Sequence, residues 1–301
     1  MKAVQFAEYG GPEVLRVAEV DEPHAGPGQV RIVVRAVGVN AIDWKIRAGY
    51  MSDGRPLPGP VGTGMDAAGV VDEVGDGVSG VAVSDAVFGS GSATLAENAV
   101  LSSWAAKPAD LSFEEAAGYP VPVETAMRIL SQVGVQPGET LLVSGAAGGV
   151  GSAVVQIAHQ RGITVVGTAS EGNQDYLRSL GAAATTYGDG LVDRVRSLAP
   201  DGVDAALDIA GSGVIRELIE LTGEPSKVLS IADFTAPEVG AQVSATSANA
   251  ADAFAEAAHM FTEGVFGLPV AKTFPLEAAA QAQAESAAGH VAGRLVISVS
   301  S

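Results

Sequence analysis

The chain has no cysteine among its 301 residues. That excludes disulfides, thiolate nucleophiles and every cysteine-based zinc site. Basic residues are scarce: 17 Lys and Arg stand against 35 Asp and Glu, a formal net charge of -18. Nucleic acid would be repelled, and so would an anionic membrane surface. Uninterrupted apolar runs are short, none reaching the roughly 18 residues that cross a bilayer. The first residues, Met1-Lys2-Ala3-Val4-Gln5-Phe6, alternate like a strand and lack a signal peptide's apolar core. The four histidines, His24, His159, His259 and His290, are too scattered to suggest a ligand set. These absences lead to the expectation of a cytoplasmic protein with no nucleic-acid or membrane partner.

What is present is a globular composition, 47% hydrophobic, in a chain long enough for two domains. Its most informative stretch is Ser144-Gly145-Ala146-Ala147-Gly148-Gly149-Val150-Gly151. An apolar strand-like run, Thr140 to Val143, precedes it, and a helix-like run, Val150 to Gln160, follows. A glycine-rich turn in that context lets backbone approach a pyrophosphate, while the helix N-terminus aims N–H groups at it. Ala147, Gly148, Gly149 and Val150 are the residues that would touch it. The first glycine of G-x-G-x-x-G is replaced by Ala146; the alternative is a plain strand-helix turn.

The two halves of the chain differ in rhythm. Residues 1 to about 120 read as Val- and Ile-rich strands broken by Gly-Pro, Pro-Gly and Asp-Gly turns. After Pro122 strands and helices alternate, which implies a parallel sheet with right-handed crossovers. The last strand, Leu295 to Val299, could join either sheet on chain order alone.

The strand after the glycine turn ends at Gly167-Thr168-Ala169-Ser170, where a ribose would be read. No carboxylate stands there for a 2′-hydroxyl. Ser170 and Asn173 could donate to a 2′-phosphate, which favours NADPH over NADH; both could equally be helix-capping residues. Ser230-Ile231-Ala232 ends another strand at the same edge, where Ile231 would offer backbone contact.

At the level of motifs the chain resembles the zinc-free, zeta-crystallin-like quinone oxidoreductases of the medium-chain dehydrogenase/reductase superfamily. The residues that carry the resemblance are Asn40 to Gly49 (N-x-x-D-x-x-x-R-x-G), Gly64 to Val71 with Val74-Gly75 and Asp85 to Gly89, and the Ala146 to Gly151 loop. Leu177 to Ala182 and the turn Ala288-Gly289-His290 with Gly293-Arg294 complete it. The implied fold is α/β: a Rossmann doubly wound parallel sheet, residues 121–262, inserted into a GroES-like β domain built from 1–120 and 263–301. The implied activity is zinc-independent hydride transfer from NADPH to a quinone or α,β-unsaturated carbonyl, in a homodimer. Two alternatives stand beside it: a tailoring enoyl reductase of polyketide or antibiotic biosynthesis, and a nucleotide-binding protein without turnover.

Zinc-bearing relatives place Cys near Asn40 and a His-Glu pair near Met65-Asp66, so the resemblance implies no zinc here. Negative charge grows on the acceptor oxygen during hydride addition, and donors aimed there would stabilise it. Asn40 and Lys45 are the catalytic candidates, although Lys45 could be a solvated lysine and Asn40 a turn former. Trp44 and Tyr50 could line the substrate pocket or belong to the core. Asp43 and Arg47, four apart, suggest an ion pair. Thr125, opening a helix, and Tyr187, after a strand, would contact the cofactor by resemblance, or serve as a cap and a structural tyrosine.

Overall fold

In the computed structural model, residues 1–244, 250–289 and 291–299 are described. The turn residue His290 lies outside them. The chain forms two compact units, 1–121 with 249–264 and 268–301, and 122–248 with 265–267.

The first unit begins with β1 (Lys2–Phe6), β2 (Arg16–Glu19) and β3 (Val30–Val39), then α1 (Ala41–Arg47). It continues with β4 (Val61–Gly62), β5 (Asp66–Val74), β6 (Ala86–Gly91), β7 (Asn98–Ala106) and α2 (Phe113–Ala117). Helix α3 (Pro120–Val133) carries the chain into the second unit. There follow β8 (Thr140–Ser144), α4 (Gly149–Gln160), β9 (Thr164–Thr168), α5 (Gln174–Ser179), β10 (Ala183–Thr185) and α6 (Leu191–Leu198). Then come β11 (Ala205–Asp208), α7 (Ile215–Thr222), β12 (Val228–Ser230) and β13 (Gln242–Val243). Helix α8 (Ala250–Thr262), β14 (Val270–Pro275), α9 (Ala279–Ala288) and β15 (Arg294–Ser298) complete the chain.

Strand β3 shows why the first unit is a sheet. Val30, Ile32, Val34 and Ala36 are buried while Arg31, Val33 and Arg35 face outward, the period of two that a half-covered strand requires. The sheet runs β14-β15-β3-β5-β6-β7, with β3 also pairing β7. Strand β15 pairs antiparallel with β3, so the final strand joins this sheet. Val30, Ile32, Val71, Leu101, Phe274 and Ile297 sit in its core.

The second unit has a parallel sheet in the order β10-β9-β8-β11-β12-β13. The order reverses between β8 and β11, the place where a doubly wound sheet opens a crevice at its carboxyl edge. Helix α4 is apolar almost all round, and residues 151–158 are buried, as expected of a helix sunk in a core.

The boundaries depart from the sequence expectation at one end. The chain leaves the first unit at 121, but α8, expected in the dinucleotide-binding domain up to 262, groups with the first unit. The reason is packing: Phe254 is 1% exposed and its ring lies 6.1 Å from that of Phe88 on β6.

Candidate active site

Two groups of residues carry chemistry, one in each unit. In the second unit the glycine turn follows β8. Gly145 has φ +84, and a Cβ on Gly151 would lie 2.2 Å from the Gly145 carbonyl oxygen. Only glycine allows the first turn of α4 to press so closely on the strand end. Gly148 is the N-cap of α4, with no side-chain cap and room for a Cβ, whose nearest atom, the Gly145 carbonyl oxygen, would lie at an ordinary contact distance of 3.9 Å. Ala147 is buried, and Gly148, Gly149 and Val150 are half-buried. Helix-end N–H groups beside a bare backbone fit a pyrophosphate.

The strand ends form a polar row. Thr185, Thr168, Ser144, Asp208 and Ser230 terminate β10, β9, β8, β11 and β12 and stand opposite one another in register. All are buried, from 7% exposed at Thr185 to 0% at Asp208 and Ser230. Thr168 Oγ1 accepts the Gly145 N–H at 3.3 Å, and the Thr168 carbonyl accepts Ala146 N–H at 3.0 Å. The row thus anchors the glycine turn.

Ser170 and Asn173 flank the short turn after β9, and neither side chain caps it. The capping alternative is therefore not what their side chains do. Gln174, missed by sequence reasoning, holds this turn. Its Nε2 donates to the carbonyls of Ala169 (3.0 Å), Ser170 (3.2 Å) and Thr185 (3.0 Å). Tyr187 is 49% exposed. Arg194 binds the backbone around it, donating to the carbonyls of Thr186, Tyr187, Gly188 and Asp189. Outside this turn lies a shallow depression of about 470 Å³ that includes Glu171, Asp175 and Arg178. Arg178 is paired with Asp175 at 2.6 Å. Ile231 donates its N–H to the Asp208 carbonyl at 3.0 Å. Thr125 does not open its helix: α3 starts at Pro120, which puts Thr125 in the second turn, 7% exposed and 3.5 Å from an Arg128 Nη.

In the first unit, α1 brings Asn40, Asp43, Trp44 and Lys45 together. Asn40 is 4% exposed. Its Nδ2 donates to Asp66 Oδ2 at 2.8 Å, and its Oδ1 accepts from Arg294 Nη2 at 2.7 Å. The amide expected to face a substrate oxygen has both of its ends taken inside the protein. Asp66 also accepts the Val121 N–H at 3.0 Å, and Arg294 lies 3.7 Å from its Oδ2. Asp43 Oδ2 accepts the Asn40 N–H at 2.8 Å, while Asp43 Oδ1 and Arg294 Nε are buried without partners. Burial pushes Asp43 and Asp66 each up to about 7, opposed by hydrogen bonds from Asn40 and by the Arg294 charge. The expected Asp43–Arg47 pair does not form: Arg47 donates to Gln283 Oε1 (2.7 Å) and the Gly10 carbonyl (2.6 Å).

Lys45 is half-buried, its Nζ 5.8 Å from the Trp44 ring centroid. Tyr50 meets Trp44 edge-on, with centroids 5.9 Å apart, and is 72% exposed. Neither ring is fully in the core. Residues fit for zinc are not assembled around Asp66. Its two oxygens already take N–H donors, a guanidinium stands beside it, and its sequence neighbour is Met65, a poor zinc ligand.

Comparison with known proteins matches this architecture. Residues 26–107 match the alcohol dehydrogenase GroES-like domain, and 180–297 match the zinc-binding dehydrogenase family. The mouse quinone oxidoreductase is 30% identical over 308 residues, covering 94% of this chain and 92% of that protein. The chain belongs to the quinone oxidoreductase family of the medium-chain dehydrogenase/reductase superfamily. Within the superfamily, the tomato 2-methylene-furan-3-one reductase is 34% identical over 247 residues, 74% of this chain; the match spans 62% of that protein's length. Among solved structures, an NAD-dependent alcohol dehydrogenase superposes with a TM-score of 0.86 at 30% identity over the whole of both chains. The mycobacterial protein Rv1454c, solved with NADPH, superposes with a TM-score of 0.84 at 26% identity, covering 99% of this chain and all of that one.

Proposed function

We propose that this family member binds NADPH along the carboxyl edge of its parallel sheet and reduces a quinone or an α,β-unsaturated carbonyl without a metal. The observation that carries the reading is the bare cradle at Gly148, set where the strand order reverses. The NADPH-bound relative and the quinone and enone reductases among its relatives support it.

Ala147 to Val150 would hold the pyrophosphate. Ser170, Asn173 and Tyr187 would read the 2′-phosphate through neutral groups, the first two on a turn held by Gln174 and Tyr187 on one held by Arg194. Thr125 and Ile231 would meet the rest of the dinucleotide. When bound, NADPH supplies the hydride. Lys45 is the catalytic group: its ammonium donates to the acceptor oxygen as charge builds there and keeps a proton at hand for it. Asn40 serves as a positioning residue, fastening the start of α1 to Asp66 and Arg294. Trp44 and Tyr50 give a flat acceptor an aromatic edge. The protein works as a cytoplasmic homodimer in this reading, by its resemblance to the family. A carrier-bound polyketide substrate is less well matched, because an acidic carrier would meet a chain of net charge -18.

The test is oxidation of NADPH with 1,4-benzoquinone and, separately, with an alkenone, each with a chelator present. Stoichiometric turnover of either supports the reading. Tight NADPH binding with no oxidation of either would make the chain a nucleotide-binding protein without turnover.

A further inference from the structure

Asp208 is the charged member of the polar row, and it is fully buried. Both of its oxygens are used. Oδ1 accepts the Gly211 N–H at 3.0 Å, and Oδ2 accepts the Ser230 hydroxyl at 2.7 Å. Ser230 Oγ in turn accepts the N–H groups of Ala232 (3.0 Å) and Asp233 (2.8 Å). With two N–H groups on the oxygen, the hydroxyl proton is left for Asp208, whose carboxylate at 2.7 Å is nearer than its backbone carbonyl at 3.3 Å. One carboxylate and one hydroxyl therefore tie the loop after β11 to the loop after β12. The loops also touch: a Cβ on Gly211 would lie 2.8 Å from Ala232 Cβ.

A buried charge costs free energy that an apolar strand end would avoid. Here the cost is accompanied by a fixed path for two loops at the carboxyl edge. They lie on the β11-β12-β13 side of the strand-order reversal, whereas the turn after β9 lies on the other. A doubly wound sheet uses its two halves for the two nucleotides, the ribose-reading strand end marking the adenosine half. We infer that Asp208 and Ser230 are positioning residues for the nicotinamide half of the cofactor, holding the backbone of 209–211 and 231–233 where that half binds. The inference rests on the NADPH reading above.

The experiment compares Ser230→Ala with the wild type in direct binding of NADPH and of 2′,5′-ADP, which carries the adenosine half and no nicotinamide. The NADPH Kd should rise about tenfold, the effect of freeing two loop N–H groups from their acceptor, while that of 2′,5′-ADP stays within about twofold. A change in which both ligands weaken equally, or neither weakens, would overturn the inference. If Ser230→Ala does not fold, Asp208→Asn keeps size and one acceptor oxygen and is read by the same two outcomes. Wild type that binds neither ligand would overturn the NADPH reading itself, and this inference with it.

Discussion

The carboxyl edge of the parallel sheet and the start of α1 treat buried polar groups in opposite ways. At the sheet edge Asp208, Ser230 and Thr168 spend their bonds on loop backbone. Around α1 the carboxylates of Asp43 and Asp66 bond mainly to one another's neighbours, and Asp43 Oδ1 and Arg294 Nε are left over. A satisfied network fixes a shape, while an incompletely satisfied one holds charge that responds to pH and substitution. The first suits a rigid cofactor cradle. The second sits beneath the short helix that presents Lys45.

Five substitutions would break or sharpen that contrast. The largest effect is expected at Lys45. Lys45→Ala should lower kcat about 10²-fold, the loss typical of one donor to a developing oxyanion, with NADPH affinity nearly unchanged. Steady-state kinetics beside a binding titration would show it, and an unchanged kcat would remove Lys45 from the chemistry.

Next come two glycines of the same turn. Gly151→Ala sets a Cβ 2.2 Å from the Gly145 carbonyl oxygen, so urea unfolding should show a loss of about 1–3 kcal/mol or more. Gly148→Ala meets only an ordinary van der Waals contact at 3.9 Å, so stability should hold while NADPH binding weakens. If Gly148→Ala bound NADPH normally, the cradle would lie elsewhere.

Asn40→Ala removes partners from both Asp66 and Arg294. A loss of about 1–3 kcal/mol is expected from the stranded polar groups, again by urea unfolding. An unchanged midpoint would mean that water or local rearrangement satisfies them.

The smallest effect concerns pH. In the folded protein Asp43 and Asp66 are raised to about 7, above their unfolded value of about 4. The folded state therefore binds more protons between these values. Their contribution to stability is fully present below about pH 4 and is lost as pH rises to about 7. Asp43→Asn should flatten that decline in unfolding midpoints measured across the range. An equally steep decline in the variant would place the proton elsewhere.

Much of the molecule was legible along the chain. The glycine turn, the alternation after Pro122 and the Val- and Ile-rich strands before it are local signals, and each formed the element expected. What escaped the sequence depends on contacts between distant residues. Arg47 reaches Gln283, 236 positions away, in place of Asp43. Asn40 reaches Arg294, 254 positions away. Helix α8 joins the first unit through Phe254 and Phe88, a packing choice that helical periodicity does not encode. The polar row was written in the sequence as a polar residue closing each apolar strand. Its meaning appeared only when the parallel register set Ser144, Asp208 and Ser230 side by side.

The most direct test of the account is transfer of label. With NADPH carrying deuterium at the transferable position, the reduced product of an alkenone should hold one deuterium at its β-carbon, in equal amount to the NADPH consumed, with a chelator present throughout. Consumption of NADPH without deuterium in the product, or no product once metals are removed, would contradict metal-free hydride transfer by this chain.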